Sequence, residues 1–339
     1  MGFRPLVALF VSLYGSALAA TLQDLPRDPA ILSYLSLPLE VSSTRTPLLF
    51  SDSPETPDRS GLLYQDTLSG PARVLAYHSN GLGSPARVLL FARNAGEQQA
   101  QLTVTRQGRA ISWGPDPVVG QQTLLRYFAS RPRPTRTLAA GAGLVVFDSG
   151  PLEPGSVVSL LLDLETTSPV QLSVMILAPG EHPEDARAIL DPDGTHQRGT
   201  FPGADRTLHA RLPAGQTAPA RLTLSGPDDP PLAGWDVLTG TPQLLKGNFG
   251  VLYDVRVEGG AGFLLAASPR GGAYRGNLLV QDGLWSSQLL LGRGRALKDP
   301  AAPAPLWRIR SQDLRLQLVP ANGSNLPLAL VFYPGKVKR

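Results

Sequence analysis

Hydrophobic residues recur at every second position in short runs along the chain, and Gly or Pro ends most of these runs. Leu102 and Val104, Leu208, Ala210 and Leu212, Leu222 and Leu224, and Leu314, Leu316 and Leu318 alternate with polar neighbours. A period of two puts such residues on one face of a strand. Strands are expected over 72–78, 86–94, 99–107, 123–129, 143–148, 156–165 and 169–177. A second series follows over 206–212, 220–225, 248–257, 262–268, 276–281, 286–292, 307–319 and 326–333. Long windows with helical spacing are all interrupted by Gly or Pro. Short strands parted by turn residues at regular intervals read as β-sandwiches.

The expected fold class is therefore all-β, built as two antiparallel β-sandwich domains, with one larger double-sheet domain as the alternative. Residues 21–60 read as an extended, Pro- and Ser-rich segment with little core of its own. Residues 61–179 make the first sandwich, 180–205 a turn-rich connector and 206–339 the second sandwich. Within the second, 226–234 and 298–305 read as inserted loops.

The first twenty residues say where this protein works. Arg4 precedes an apolar run, Leu6 to Tyr14, broken by Ser12 and followed by Ala17-Leu18-Ala19-Ala20. A basic start, a short apolar core and an A-x-A site make a signal peptide, cleaved after Ala19 or Ala20. The run is too short to cross a bilayer, which needs about 20 residues. No later stretch reaches about 18 consecutive apolar residues, so no transmembrane segment is expected after cleavage. The expected location is secreted, periplasmic or cell-envelope.

Composition then removes several chemistries. The 339 residues include no cysteine, which excludes disulfides and thiolate metal sites. The four histidines lie far apart in sequence, so neither a bound metal nor a cofactor is expected. The formal net charge is +4, and only four of the 31 basic residues are lysines. The densest arginine group, Arg126, Arg131, Arg133 and Arg136, is interrupted by Pro132 and Pro134. A nucleic-acid footprint is clustered and interleaved with aromatics; this group reads as a solvated loop, and nucleic acid is not an expected partner.

No serine elbow, H-E-x-x-H or phosphate loop is present. The polar concentration lies in LDPDGTHQRGTFPGADR, residues 190–206, which crowds Asp191, Asp193, His196, Arg198 and Asp205. Four readings stay open: a connector locked by an Arg198–Asp205 pair, a ligand surface, a calcium loop, or acid–base catalysis. An EF-hand is excluded because Pro202 stands where the twelfth-position glutamate belongs. His78 ends a strand before the turn Ser79-Asn80-Gly81, where it either faces a ligand or caps the turn. His182 sits in a loop and His209 on the polar face of a strand. Asn248 lies in KGNFGVLY, and Gly271-Gly272 suggests a turn that exposes Arg270, Tyr274 and Arg275. The expected ligand-binding set is His78, Asn80, His196, Arg198, Asp205, Asn248, Arg270, Tyr274 and Arg275. Its main parts, the 190–206 loop and the 270–276 turn, are expected to form one polar surface. No catalytic and no metal-ligating residue is assigned.

The stretches GLLYQDTLSGPARVLAYHSNG (61–81), HQRGTF (196–201), KGNFGVLYDV (246–255) and SPRGGAYRG (268–276) also carry a resemblance. The chain resembles secreted bacterial proteins of a domain-of-unknown-function family, cyanobacterial members included. It is similar as well to C-terminal portions of proteins that begin with a copper-amine-oxidase N-terminal-like domain, a domain not seen here. The resemblance implies association with the cell envelope and carries over no activity, cofactor or site residue. The leading expectation is a secreted, non-catalytic protein that binds a cell-surface polymer or an envelope protein. The alternative is a secreted glycan hydrolase using Asp191, Asp193 and Asp205, whose carboxylates would flank a cleft.

Overall fold

The computed structural model describes residues 25–335, so the expected signal peptide lies outside the described residues. The described chain is mostly strand, in three sheets. The largest has ten strands: β14 (Thr241–Leu245), β13 (Leu232–Asp236), β10 (Arg198–Phe201), β3 (Leu48–Ser51), β4 (Gly61–Ser79), β9 (Ser156–Leu177), β5 (Arg87–Asn94) and β8 (Gly143–Asp148) in that order, with β6 (Ala100–Trp113) also on β9 and β7 (Arg136–Leu138) on β6. A five-stranded sheet runs β1 (Leu35–Ser36), β12 (Ala220–Leu224), β21 (Leu328–Tyr333), β16 (Leu264–Pro269), β19 (Ala304–Arg308). A six-stranded sheet runs β18 (Trp285–Leu291), β17 (Gly276–Asp282), β20 (Asp313–Leu318), β15 (Leu252–Glu258), β11 (Asp205–Arg211), β2 (Glu40–Ser43). Most pairings are antiparallel, but β3/β4, β1/β12 and β11/β15 are parallel, so the sheets are mixed.

The two long strands organise the first half. β4 and β9 pair along nearly their whole length, with irregularities between Leu62 and Tyr64 and between Leu68 and Gly70. β6 lies beside the N-terminal half of β9 and β5 beside its C-terminal half. Val158, Leu160, Leu162 and Leu164, and then Val170, Leu172, Val174 and Ile176, keep one parity and line one core. A single strand face can surround one core only if the strand bends, and bulges are where strands turn a sandwich corner. The opposite face of β9, at Val157 and Leu161, joins a second core that holds most buried residues of the five- and six-stranded sheets. Strands buried on both faces read as continuous apolar runs, which is why SVVSLLLDL shows no alternation.

One α-helix stands among the described residues, and it corrects the strand expected at 123–129. α1 spans Pro117–Ala129. Asp116 caps it by accepting from Val118 N at 2.8 Å, and Pro117 occupies the first turn, where it is favoured. Val119, Leu124 and Tyr127 bury one face against β6 and β9. The helix also meets β17, where Gln121 Nε2 donates to the carbonyls of Gly276 (2.9 Å) and Leu291 (2.7 Å). Gly108 permits the close approach: a Cβ there would sit 2.0 Å from Thr123 O.

The segment 21–60 contributes a strand to each sheet: β1, β2 and β3. β3 is wholly buried between β10 and β4. β10 emerges from the stretch expected to be only turns, and β13 begins inside the expected 226–234 loop. The single strand expected over 307–319 is two, β19 and β20.

Candidate functional site

The 190–206 loop is tied to the chain before β4. Asp193 is its hub. Oδ1 accepts from Thr195 N (2.9 Å) and His196 N (2.8 Å), and Oδ2 from Glu55 N (2.9 Å). His196 lies between two carboxylates, with Nδ1 2.8 Å from Asp193 Oδ2 and Nε2 2.9 Å from Glu55 Oε2. Partial burial opposes ionisation of Asp193, but hydrogen bonds from Glu55, His196 and Thr195 outweigh it and hold the carboxyl at about 2. Asp52 behaves oppositely: burial, then the charges of Glu55 and Asp193, push it well above the usual carboxylate range. Asp191 pairs with Arg59 at 2.8 Å.

Arg198 is a buried strut and does not pair with Asp205. Its Nε donates to Asp236 at 2.9 Å, and its other nitrogens donate to the carbonyls of Leu63, Ile189 and Leu190 at 2.6 to 3.1 Å. Asp205 instead lies 2.7 Å from Arg73, which also binds Asp163. The three carboxylates of the hydrolase expectation thus have protein partners already.

The remaining expected residues are scattered through the core. His78 is fully buried, with Nε2 2.9 Å from Ser51 Oγ and Nδ1 3.0 Å from Pro54 O. Burial lowers it to about 4, so the imidazole is neutral. Asn80 ties its turn by donating to the carbonyls of Ser84 and Leu152. Asn248 is buried, accepts from Leu232 N and donates to Tyr253 Oη. The 270–276 turn exposes less than expected. Tyr274 is fully buried, Arg270 is half-buried near Arg221, and Arg275 donates to Gly294 O. Gly271 lies against the chain: a Cβ there would meet Leu326 O at 1.8 Å. The two segments of the expected single surface pack on different elements, one on 52–55 and β13, the other on 292–297 and 325–327.

The fold assembles a different surface, along the outer edge of β6. Arg109, Ile111 and Trp113 alternate outward, and Trp113 is 78% exposed. α1 sets Gln122, Leu125 and Arg126 beside them, all exposed, with Arg126 donating to Arg109 O. The chain after α1 returns along the same edge. Ser130 Oγ accepts from Gln107 N at 2.9 Å, Arg133 N donates to Val104 O at 2.8 Å, and the Thr103 and Thr135 hydroxyls meet at 2.8 Å. Pro132 and Pro134 fix this run as an extended strap. β7 then pairs Arg136 with Leu102.

Arg106, Arg109, Arg126, Arg131, Arg133 and Arg136 are thereby gathered on one edge. Arg106 lies over the Tyr127 ring (5.7 Å) and Arg109 over the Phe147 ring (5.9 Å). None of the six forms an ion pair among the described residues. Asp163 belongs to Arg73 and Asp148 to Arg87, while Glu165, opposite Thr103, is an exposed acid at one end. A hollow of about 440 Å³ opens here, lined by Arg109, Ala110, Ile111, Gln122, Arg126 and Ser149. Sequence reasoning saw four of these arginines but took the prolines as breaks. Arg106 and Arg109 lie too far upstream for spacing to reveal them.

No protein-family model and no curated protein matches the chain. Among solved structures it is similar to the PBSX exported protein XepA (11% identity, 81% of this chain and 86% of that one, TM-score 0.20). It is similar also to the CUB1-EGF-CUB2 domains of rat MASP-1 (12% identity, 84% and 99%, TM-score 0.21). A third likeness is to deformed wing virus, a honeybee pathogen (10% identity, 98% and 94%, TM-score 0.19). At such scores these likenesses carry no argument about what the chain does.

Proposed function

We propose that the chain is an extracytoplasmic, non-catalytic protein that holds an anionic cell-envelope polymer along the β6–α1 edge. The observation that carries this reading is the group of six arginines without carboxylate partners, two of which, Arg109 and Arg126, line a hollow beside β6, the strand that ends at the exposed Trp113. Guanidinium groups present planar donor forks that fit carboxylates and phosphates. Trp113 offers a flat face for a sugar ring. The signal-peptide pattern of residues 1–20 and the resemblance to envelope-associated proteins support the location. No described helix is long and apolar enough to cross a membrane. The hydrolase alternative has less support, because Asp191, Asp193 and Asp205 are engaged by Arg59, loop donors and Arg73.

The test is binding of the mature protein to immobilised polygalacturonate, a carboxylate polymer, with dextran as the neutral control. Binding to the first and not the second is expected, weakening as salt screens the charges. Arg126→Glu with Arg133→Glu should reduce binding at least tenfold. Equal retention on dextran, or binding indifferent to the double variant, overturns the reading.

A further inference from the structure

The six arginines of the β6–α1 edge are not equivalent. Arg131, Arg133 and Arg136 stand on the exposed strap, and their side chains donate no hydrogen bond among the described residues. Arg109 and Arg126 are held. Arg109 Nη1 donates to Asp148 O at 3.3 Å while its guanidinium lies over the Phe147 ring, and Arg126 Nη1 donates to Arg109 O. Each of these two thus anchors one nitrogen on a carbonyl and leaves its Nε–Nη2 edge without a partner among the described residues. That edge is a two-donor fork of the kind that fits a carboxylate.

Both forks border the same hollow, whose volume of about 440 Å³ is that of a small-molecule site rather than a surface crease. They reach it from different elements. Arg126 comes from α1, and Arg109 comes from β6 and is tied to the turn after β8, where Ser149 also lines the wall. Ile111 adds an exposed apolar side chain, and Gln122 adds an exposed amide with no side-chain hydrogen bond among the described residues. No acid lines the hollow. Asp148, whose carbonyl braces Arg109, has its carboxylate on Arg87 and Gly150 N.

We infer that this hollow is the subsite that gives the edge its selectivity, and that it takes an acidic disaccharide unit with one carboxylate on each fork. The inference rests on the reading of the β6–α1 edge as a polymer-binding surface and names the part of the polymer that is read. Two fixed forks match two carboxylates in number and in charge, whereas a single uronate leaves one cation unmatched. A lone phosphate occupies a small part of such a volume and leaves Gln122 and Ile111 without a role. The Gln122 amide can both donate to and accept from sugar hydroxyls, and Ile111 suits the C–H face of a ring. The arginines of the strap attract any anion through a screened field, so they strengthen binding without choosing the ligand.

The experiment is calorimetric titration of the full mature protein with digalacturonate, and with galacturonate, cellobiose and inorganic phosphate for comparison. Digalacturonate is expected to bind at least tenfold more tightly than galacturonate, and cellobiose not at all. Arg109→Lys with Arg126→Lys keeps both charges but removes both forks, and should weaken digalacturonate at least tenfold at an unchanged melting temperature. Arg93→Lys, at an exposed arginine that donates to Gly141 O outside the hollow, should bind like wild type. The inference is overturned if polygalacturonate is retained but digalacturonate does not bind, if the double lysine variant binds digalacturonate like wild type, or if inorganic phosphate binds more tightly than digalacturonate. If wild type binds neither polygalacturonate nor digalacturonate, the polymer reading of the edge fails with it.

Discussion

His78 gives the chain a built-in sensitivity to acid whose size follows from its surroundings. The folded protein keeps the imidazole neutral at about 4, because burial excludes the charged form, against 6.5 for a free side chain. Neutral histidine is favoured in the fold by that gap, worth about 3 kcal/mol in full. The stabilisation is complete above 6.5 and is lost as the pH falls from there towards 4, since the unfolded chain then takes up a proton that the fold refuses. By about pH 5 roughly 2 kcal/mol should be gone. Asp52 and Glu55, held high mainly by burial, act with the opposite sign, because protonation favours the fold there. A comparison with His78→Gln removes them from the balance, since both proteins share them. Gln keeps an amide for Ser51 and Pro54 but does not titrate. Urea unfolding at about pH 7.5 and about pH 5 should show wild type losing roughly 2 kcal/mol more than the variant across the interval. Parallel behaviour within about 0.5 kcal/mol would refute the claim that His78 is buried neutral.

Three further outcomes follow from other residues. Arg198→Ala should destabilise by about 3–5 kcal/mol in urea unfolding, because it strands Asp236 as a buried charge; a loss below about 1 kcal/mol would mean the strut is solvated. Gly108→Ala should cost about 1–3 kcal/mol, because its Cβ would collide with α1 and push the helix off β6; an unchanged melting temperature would contradict that packing. Trp113→Ala should leave the melting temperature within a few degrees while weakening polygalacturonate binding, and a large drop in stability would place Trp113 in a core.

β11 and β12 were legible because each alternates buried and half-exposed positions, whereas β13 and β14 were not expected. β11 reads DRTLHAR, with its even-numbered residues buried, and the expected range misses it by one residue at each end. β3 and β10 were not legible as strands, since four residues packed on both sides show no alternation. α1 hid behind Gly120, although Asp116-Pro117 is a helix start and Val119, Leu124 and Tyr127 lie on one helical face. Arg198 looked like a surface group because its loop is polar, and its partner Asp236 is 38 residues away. Tyr274 followed two glycines that suggested an open turn, yet the carbonyl of Leu326 closes over that turn. The arginine edge needed knowledge that the chain after α1 doubles back on β6, which hydrogen bonds such as Arg133 N to Val104 O decide.

The three strands contributed by the N-terminal segment set an order of events for folding. Leu35 pairs with Ala220, Glu40 with His209 and Leu48 with Phe201, and β21, near the end of the chain, lies inside the five-stranded sheet between β12 and β16. β1 and β2 therefore wait for partners about half the chain away, and β3, which pairs early with β4, waits as long for its second neighbour, β10. Contacts so distant in sequence make folding slow, because loop closure precedes any gain from pairing. A chain emerging N-terminus first from a ribosome completes its five-stranded sheet only when Tyr333 arrives, so β12 and β16 lack the strand that joins them until nearly all of the chain is made.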